Sequence, residues 1–360
     1  MMNLNEKKDI YSMLPSELEE FFAAMGEPKF RAKQVFPRLA RGERIDEITT
    51  LSKKLRETLK TIILDTVPTV HTKLVSKIDG TVKYLFSLYD GACIESVLMK
   101  YKHGNTLCIS SQVGCRMGCK FCASTLLGRE RDLLPSELIG QISAAQRDSG
   151  ERVDNVVMMG IGEPLDNFDN VVKFLKLVNH EDGLNIGYRH ISLSTSGIVP
   201  RIKELADWEL PITLSVSLHA ATDEKRSEIM PINKKWNIDS LLRTCAEYYK
   251  KTGRRISFEY TLISGENDTA ADAEALASLL KFHLLPVRAP FHVNLIRVNE
   301  VAETKFKSGS TDSAKRFAER LESLGVTATV RRRLGSDISA ACGQLRRSAV
   351  SQSSRKEETL

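Results

Sequence analysis

The sequence predicts an α/β protein: a whole or partial barrel of six strand–helix units, preceded by a small helical domain and a connecting β-meander. Three observations predict it. From Thr106 onward, short apolar runs alternate with longer segments whose apolar residues recur every three or four positions. That is the pattern of a parallel sheet with covering helices. Residues 68–100 hold three runs separated by Asp79-Gly80 and Asp90-Gly91, which read as hairpin-linked strands. Residues 1–62 carry helical apolar spacing. A chain of 360 residues, 42% of them hydrophobic, can bury a core of this size.

In the first region, 16–22, 31–36 and 51–59 are helical by spacing, and Gly26-Glu-Pro28 separates the first helix from the second. The division expected is a helical domain at 1–62, a meander at 63–100, a barrel core at 101–345 and a basic, polar, disordered tail at 346–360. Asp79-Gly80 is expected to join 73–78 to 81–88 through a two-residue type I′ turn, and Asp90-Gly91 to lead into 93–99. The six barrel strands fall at 106–110, 155–159, 190–194, 213–218, 257–262 and 291–297. Helical patterns between them cover 136–147, 171–178, 238–251, 270–282 and 312–324.

In such folds chemistry gathers where the strands end. The first strand is followed by Gly114-Cys-Arg-Met-Gly-Cys-Lys-Phe-Cys122, a CxxxCxxC spacing. Three thiolates so close can hold three irons of a [4Fe–4S] cluster, which otherwise takes four cysteines. Gly162-Glu-Pro164 follows the second strand, Ser194-Thr-Ser-Gly197 ends the third, Ser217-Leu-His219 ends the fourth and Asn299 follows the sixth. The polar motifs thus converge on one rim.

Composition narrows the class. Seven cysteines, an odd number with three in one loop, speak for metal or redox chemistry in a reducing compartment and against a disulfide framework. No apolar run is long enough to span a bilayer, and the first residues have no apolar signal core. A cytoplasmic protein is expected. The net charge of +6 is clustered: 28–60 holds ten Lys/Arg against four Asp/Glu, and Arg331-Arg332-Arg333 and Arg346-Arg347 lie further on. Such clusters fit a polyanionic partner as well as they fit solvated helix faces.

Longer stretches of text carry a resemblance. Phe30-Arg-Ala-Lys-Gln-Val-Phe36, Leu107-Cys-Ile-Ser-Ser-Gln-Val-Gly-Cys115, Met159-Gly-Ile-Gly-Glu-Pro-Leu-Asp-Asn167, Leu193-Ser-Thr-Ser-Gly197, Pro231-Ile-Asn-Lys-Lys235 and Asp337-Ile-Ser-Ala-Ala-Cys-Gly-Gln-Leu345 occur in order. Together they resemble the radical S-adenosylmethionine (SAM) enzymes, and among them the RlmN/Cfr family of RNA adenine methyltransferases. The resemblance implies a partial (β/α)6 radical SAM barrel behind an RNA-contacting helical domain. It implies one [4Fe–4S] cluster on Cys115, Cys119 and Cys122, with SAM on the fourth iron and two SAM molecules per turnover. The reaction implied is methylation of C2 in adenine 2503 of 23S rRNA and adenine 37 of tRNA. Family members that methylate C8 resemble Gly-Glu-Ala-Leu-Ala-Asn where this chain has Gly162-Glu-Pro-Leu-Asp-Asn167, which favours C2. Met99-Lys-Tyr-Lys is reminiscent of the C8 enzymes and keeps that alternative open.

The same resemblance assigns roles. Cys342 would carry the methyl group as S-methylcysteine, Cys108 would release the product, and Glu95 would accept the proton. Gly162 and Glu163 would receive the SAM amino group, with Ser194, Ser217, Leu218, His219 and Asn299 as further SAM contacts. By pattern alone Glu95 is a solvent-facing residue of the meander, Cys108 a strand-core thiol, and Cys93 and Cys245 core or incidental. Lys29, Arg31, Lys33, Arg38 and Arg331–Arg333 are candidates for RNA phosphates. The partners implied are 23S rRNA, tRNA and a flavodoxin-type electron donor; the apolar runs lead to no membrane partner being expected, and a monomer is the default expectation. The rival class is a non-catalytic zinc- or cluster-bearing RNA-binding protein, but structural zinc takes four ligands and this loop offers three.

Overall fold

The computed structural model describes residues 7–299 and 305–338. It opens with three helices: α1 (Pro15–Ala24), α2 (Arg31–Ala40) and α3 (Lys53–Ile62). Each buries one stripe: Leu18, Phe21 and Phe22 in α1, Val35, Phe36 and Leu39 in α2, Leu55 and Leu59 in α3. Glu17 reaches back to the Leu14 N–H at 2.7 Å, and Ser52 Oγ accepts from the Leu55 N–H at 3.2 Å. Both satisfy amides that a helix start leaves free.

Next come β1 (Thr69–Val75), β2 (Val82–Ser87), β3 (Cys93–Tyr101) and β4 (Gly104–Cys108), all antiparallel. A small hairpin follows, β5 (Gln112–Gly114) with β6 (Arg129–Asp132). The alternation then runs α4 (Pro135–Ser149), β7 (Asn155–Met158), α5 (Phe168–Asn179), β8 (Ile191–Thr195), α6 (Val199–Asp207), β9 (Thr213–Ser217), α7 (Asp223–Ile229), α8 (Ile238–Thr252), β10 (Ile256–Leu262), α9 (Ala270–Leu284), β11 (Phe291–Arg297), α10 (Thr311–Ser323) and β12 (Ala328–Val330). One sheet contains all strands but β5 and β6, in the order β1-β2-β3-β4-β7-β8-β9-β10-β11-β12. From β4 to β12 every pairing is parallel. Among the described residues β12 and β1 do not pair, so the barrel is open.

The six expected strands are all present, and α/β is the class. Four details differ from the sequence reading. The turn at Asp79-Gly80 is not a two-residue type I′ turn. Only Gly80 has positive φ, at +71°, whereas type I′ needs two such residues. The loop instead runs from Ser76 to Thr81, closed by the Ser76 N–H on Thr81 O, with Ser76 Oγ accepting from the Ile78 and Asp79 N–H groups. The hairpin β5–β6 and strand β12 are only three or four residues long, too short to show a period. Helices α6 and α7 went unread because each spans about two turns.

Register sorts the front of the sheet into two faces, since side chains alternate along a strand. Lys83 lies opposite Val97, Leu85 opposite Glu95, and Val97 opposite Cys108. Lys83, Glu95, Val97 and Cys108 therefore share the inner face. Tyr84, Phe86, Ser96 and Leu98 point the other way, toward α4, where Ser96 Oγ donates to Gln141 Oε1 (2.8 Å) and Tyr84 Oη to Asp148 (2.8 Å). One hydrophobic core runs from Ile10 and Leu18 through Phe174 to Phe317. Ser136 at the start of α4 binds Asp9 and Ser12 (2.7 and 2.9 Å), tying the amino-terminal region to the barrel. Among the described residues no helix is long and apolar enough to cross a membrane.

Candidate active site

The parallel strands point their carboxyl ends at one cavity of about 280 Å³. Cys115, Cys119, Cys122, Gly162, Glu163, Ser194, Ser217, His219 and Asn299 all line it. These come from five loops or strand ends, and nine of the ten residues expected at the cluster and SAM site meet here. Leu218 is the exception. Its side chain is buried in the core, its N–H donates to Glu259 O (3.0 Å) and its carbonyl accepts from Arg226 Nε (3.0 Å). Both main-chain polar groups have partners within the protein.

The cysteine loop is held at both ends. Hairpin β5–β6 brackets it, and the Cys115 N–H donates to Gly128 O at 2.9 Å. Gly114 at φ +82° is required for this approach, because a Cβ there would sit 1.9 Å from Gly128 O. The Lys120 N–H donates to Ile229 O at 2.9 Å, fastening the loop to the end of α7. Burial and the neighbouring Cys122 push the Cys115 thiol up to about 12, and burial likewise raises Cys119 well above the ordinary thiol range. As thiolates these groups need a cation close by, which bound metal supplies. Among the described residues no three His, Cys, Asp or Glu side chains converge tightly enough to hold a single metal ion. The three sulfurs instead share one cavity wall, and a cluster of several irons suits that donor set. The buried Ser124 hydroxyl, on the same wall, has no hydrogen-bond partner, which suits a polar ligand.

Glu163 is buried in the lining of the same cavity. Its two carboxylate oxygens accept from the Leu165 N–H (3.0 Å) and the Ser196 N–H (2.7 Å). Burial raises its pKa, and those hydrogen bonds oppose the rise. The Glu163 N–H in turn donates to Gln112 Oε1 at 3.0 Å. Gly162, at φ +108°, has no room for a Cβ, which would lie 2.7 Å from the Gln112 nitrogen. Asp166 accepts from Arg116, Gln112 and, at longer range, Arg129. Burial works against its charge, yet Arg116 and Gln112 hold its carboxyl below the ordinary range. The Gly-Glu-Pro loop and the cysteine loop are thus fastened to each other.

His219 has a left-handed backbone, φ +58°, uncommon for a residue with a Cβ and frequent at functional sites. Its Nδ1 accepts from the Thr261 N–H at 2.9 Å, and burial lowers its pKa to about 3. The ring is therefore neutral and carries its proton on Nε2. It packs edge-on to Phe121 of the cysteine loop, centroids 4.9 Å apart.

Cys108 and Glu95 lie outside the cavity lining but on the same inner face of the sheet. Cys108 ends β4 and packs with Val97 and Met99, and Met159 bridges from that group to the cavity. Glu95 is 2% exposed and pairs with the fully buried Lys83 at 3.1 Å. The reading of Glu95 as a solvent-facing meander residue is thereby overturned. Cys342 lies outside the described residues, as does the tail from 346.

Several residues of the site were missed. Arg226 is completely buried and donates to the carbonyls of Ser196, Ser217 and Leu218 and to Asn233 Oδ1, at 2.7 to 3.0 Å. Its pKa is lowered to about 10 by that burial. Glu259 lines the cavity, accepting from Asn294 (2.7 Å) and Ser257 (3.0 Å). Asn267 holds the carbonyls of His219 and Thr261. The one signal for Arg226 was its position five residues before Pro231-Ile-Asn233. Of the expected phosphate contacts, Lys29 and Lys33 are exposed, whereas Arg31 and Arg38 turn toward Glu27 and Glu43. Arg331 faces the cavity against Met159, while Arg332 and Arg333 are exposed.

Residues 109–279 match the Radical SAM superfamily, and residues 8–64 match the ribosomal RNA large subunit methyltransferase N-terminal domain. The chain is 53% identical over 343 residues to the probable dual-specificity RNA methyltransferase RlmN of Alkaliphilus oremlandii, covering 95% of this chain and 98% of that one. The protein of the same name from Clostridium perfringens is 51% identical over 345 residues, with 95% and 98% covered. A crystal structure of a radical SAM methyltransferase from Sphaerobacter thermophilus superposes with a TM-score of 0.88 at 41% identity, over 94% of this chain and 98% of that one.

Proposed function

The chain belongs to the RlmN family of radical SAM RNA methyltransferases, and on that premise we propose that it methylates C2 of adenine in 23S rRNA and tRNA through a methyl group carried on Cys342. The observation that supports this reading is convergence. The three cysteines and every SAM-contact candidate but Leu218 surround one cavity, and Cys108 and Glu95 share the inner face beside it. Adenine C2 is electron-poor, so direct transfer of a methyl group from SAM, which needs a nucleophile, fails there.

When bound on Cys115, Cys119 and Cys122, a [4Fe–4S] cluster with SAM supplies a carbon-centred radical able to take hydrogen from a methyl group. The remaining work falls to the chain. Glu163, Gly162, Ser194, Ser217 and Asn299 orient SAM, and His219 offers an Nε2–H donor. The Cys342 thiolate attacks the methyl carbon of one SAM, S-adenosylhomocysteine leaves, and the methyl group stays on Cys342 as a thioether. After hydrogen removal, that carbon bonds to adenine C2. Glu95 takes the C2 proton, and the Lys83 ammonium offsets the cost of burying its charge. One electron leaves the adduct with that proton and passes to the electron-transfer partner; the Cys108 thiol then attacks the Cys342 sulfur, the S–C bond breaks as a disulfide forms, and the thiol proton completes the methyl group on the released base. Lys29 and Lys33, with exposed Phe30 between them, suit an RNA backbone and an unstacked base.

The test is Cys342→Ala assayed with SAM and RNA, with mass spectrometry of the RNA nucleosides. Methyl transfer should stop while cluster content and SAM binding survive, and the wild type should yield 2-methyladenosine. Persistent methylation by the variant, or 8-methyladenosine as the product, would sink the reading.

A further inference from the structure

Residues 331–338 contain a feature the reaction does not yet use. After β12, the Arg331 N–H donates to Leu295 O (2.8 Å), and its side chain faces the cavity. Leu334 packs beside Val97, Met99 and Cys108. Gly335 then adopts φ +60° and donates its N–H to Asp79 Oδ2 at 2.9 Å. Asp337 accepts from Ser76 Oγ at 2.7 Å and from the Lys77 N–H at 2.9 Å. Three hydrogen bonds thus carry the chain from β12, at one edge of the sheet, across Cys108 to the β1–β2 turn at the other edge. Burial is the largest single influence and works against the Asp79 charge, but the Gly335 and Thr81 N–H groups, with the Thr81 and Ser76 hydroxyls, outweigh it and hold its pKa at about 2. Both carboxylates are ionised acceptors at neutral pH, the stronger kind.

We propose that the β1–β2 turn is a dock for the segment that leads to Cys342, with Asp79 and Asp337 as positioning residues for that thiol. The proposal rests on the reading that Cys342 carries the methyl group. That sulfur has to meet SAM, then the base, then Cys108, so it needs a short tether with a fixed root. From Asp337 to Cys342 there are five steps of chain, a reach of about 17 Å when extended. Leu334, beside Cys108, is only three steps back from the dock, about 10 Å at most. The tether is long enough to return to Cys108 and the cavity, and short enough to confine the search. Without the dock, the nearest main-chain anchor is the Arg331 N–H, and the tether lengthens to eleven steps. Effective concentration falls with roughly the −3/2 power of tether length, here about threefold.

The experiment uses cluster-loaded protein bearing Asp337→Ala, Asp79→Ala or both. Iron content and SAM affinity should match the wild type. Iodoacetamide labelling of Cys342, followed by peptide mass mapping before any exposure to SAM, should rise by about threefold in the double variant, where both anchors are lost, and by less in either single variant. The ratio of 5′-deoxyadenosine released to adenine methylated should rise by a similar factor, because radical formation continues while the thiol arrives late. Wild-type labelling and an unchanged ratio in the double variant would overturn the dock. So would lower thermal stability with the ratio unchanged, which would make these bonds a structural staple alone. If Cys342→Ala still methylated RNA, the carrier reading would fall by itself, and the labelling would still report on the dock.

Discussion

Glu163 has two carboxylate oxygens for two backbone donors, the Leu165 and Ser196 N–H groups. A glutamine has one acceptor oxygen, so Glu163→Gln would set its NH2 against a buried N–H. The expected loss is about 2 kcal/mol in urea unfolding, with weaker SAM binding by equilibrium dialysis. Asp166 makes a prediction about pH. Its folded pKa is depressed, so its contribution to stability is complete above the ordinary aspartate value of about 4 and is lost as pH falls through the depressed one. The difference in urea midpoint between wild type and Asp166→Asn should therefore be constant from neutral pH down to about 4 and shrink below it. A difference that grew on acidification would contradict the assignment of Arg116 as its partner.

At the scale of elements, the hairpin β5–β6 is the frame of the cysteine loop. Gly114→Ala cannot keep Gly128 O where it is, so the frame must open. Iron content after anaerobic reconstitution should fall severalfold. Helix α7 has a different duty: Arg226 draws the ends of β8 and β9 onto Asn233. Arg226→Met would take the donor from the Ser196 and Ser217 carbonyls and Asn233 Oδ1 and should cost about 3 kcal/mol, read by the same unfolding assay. These two elements also mark where sequence reading stopped. The cysteine spacing, Gly162-Glu163 and the polar strand ends were legible because their chemistry depends on residue type and short spacing. Arg226 was not, because Asp223-Glu-Lys-Arg-Ser-Glu228 reads as a solvated helix face. Only the fold turns one of those charges inward. Glu95 failed for the converse reason: alternation gives a residue's face, but whether that face meets solvent depends on what lies over it. The Asp79-Gly80 turn was legible as a turn. Its type depended on Ser76, whose hydroxyl supports a longer loop.

Across the whole molecule, a single core spans the three leading helices and the barrel. Both tryptophans, Trp208 and Trp236, lie in the barrel, whereas circular dichroism reports helices in both regions. Because the core is shared, the two signals should give coincident urea transitions. An earlier dichroism transition would mean that α1–α3 unfold as a separate unit.

The bonds between the β1–β2 turn and Asp337 join residues 261 positions apart. They have a consequence in the time of synthesis. A chain folds from its amino-terminal side as it emerges, and contacts at such separation close last. The cysteine loop and the sheet around it can be complete while residue 337 has yet to be made. The inner face of the sheet at Cys108 is thus left without its crossing segment until late in the chain's assembly, after the cysteine loop behind it has had time to take its place.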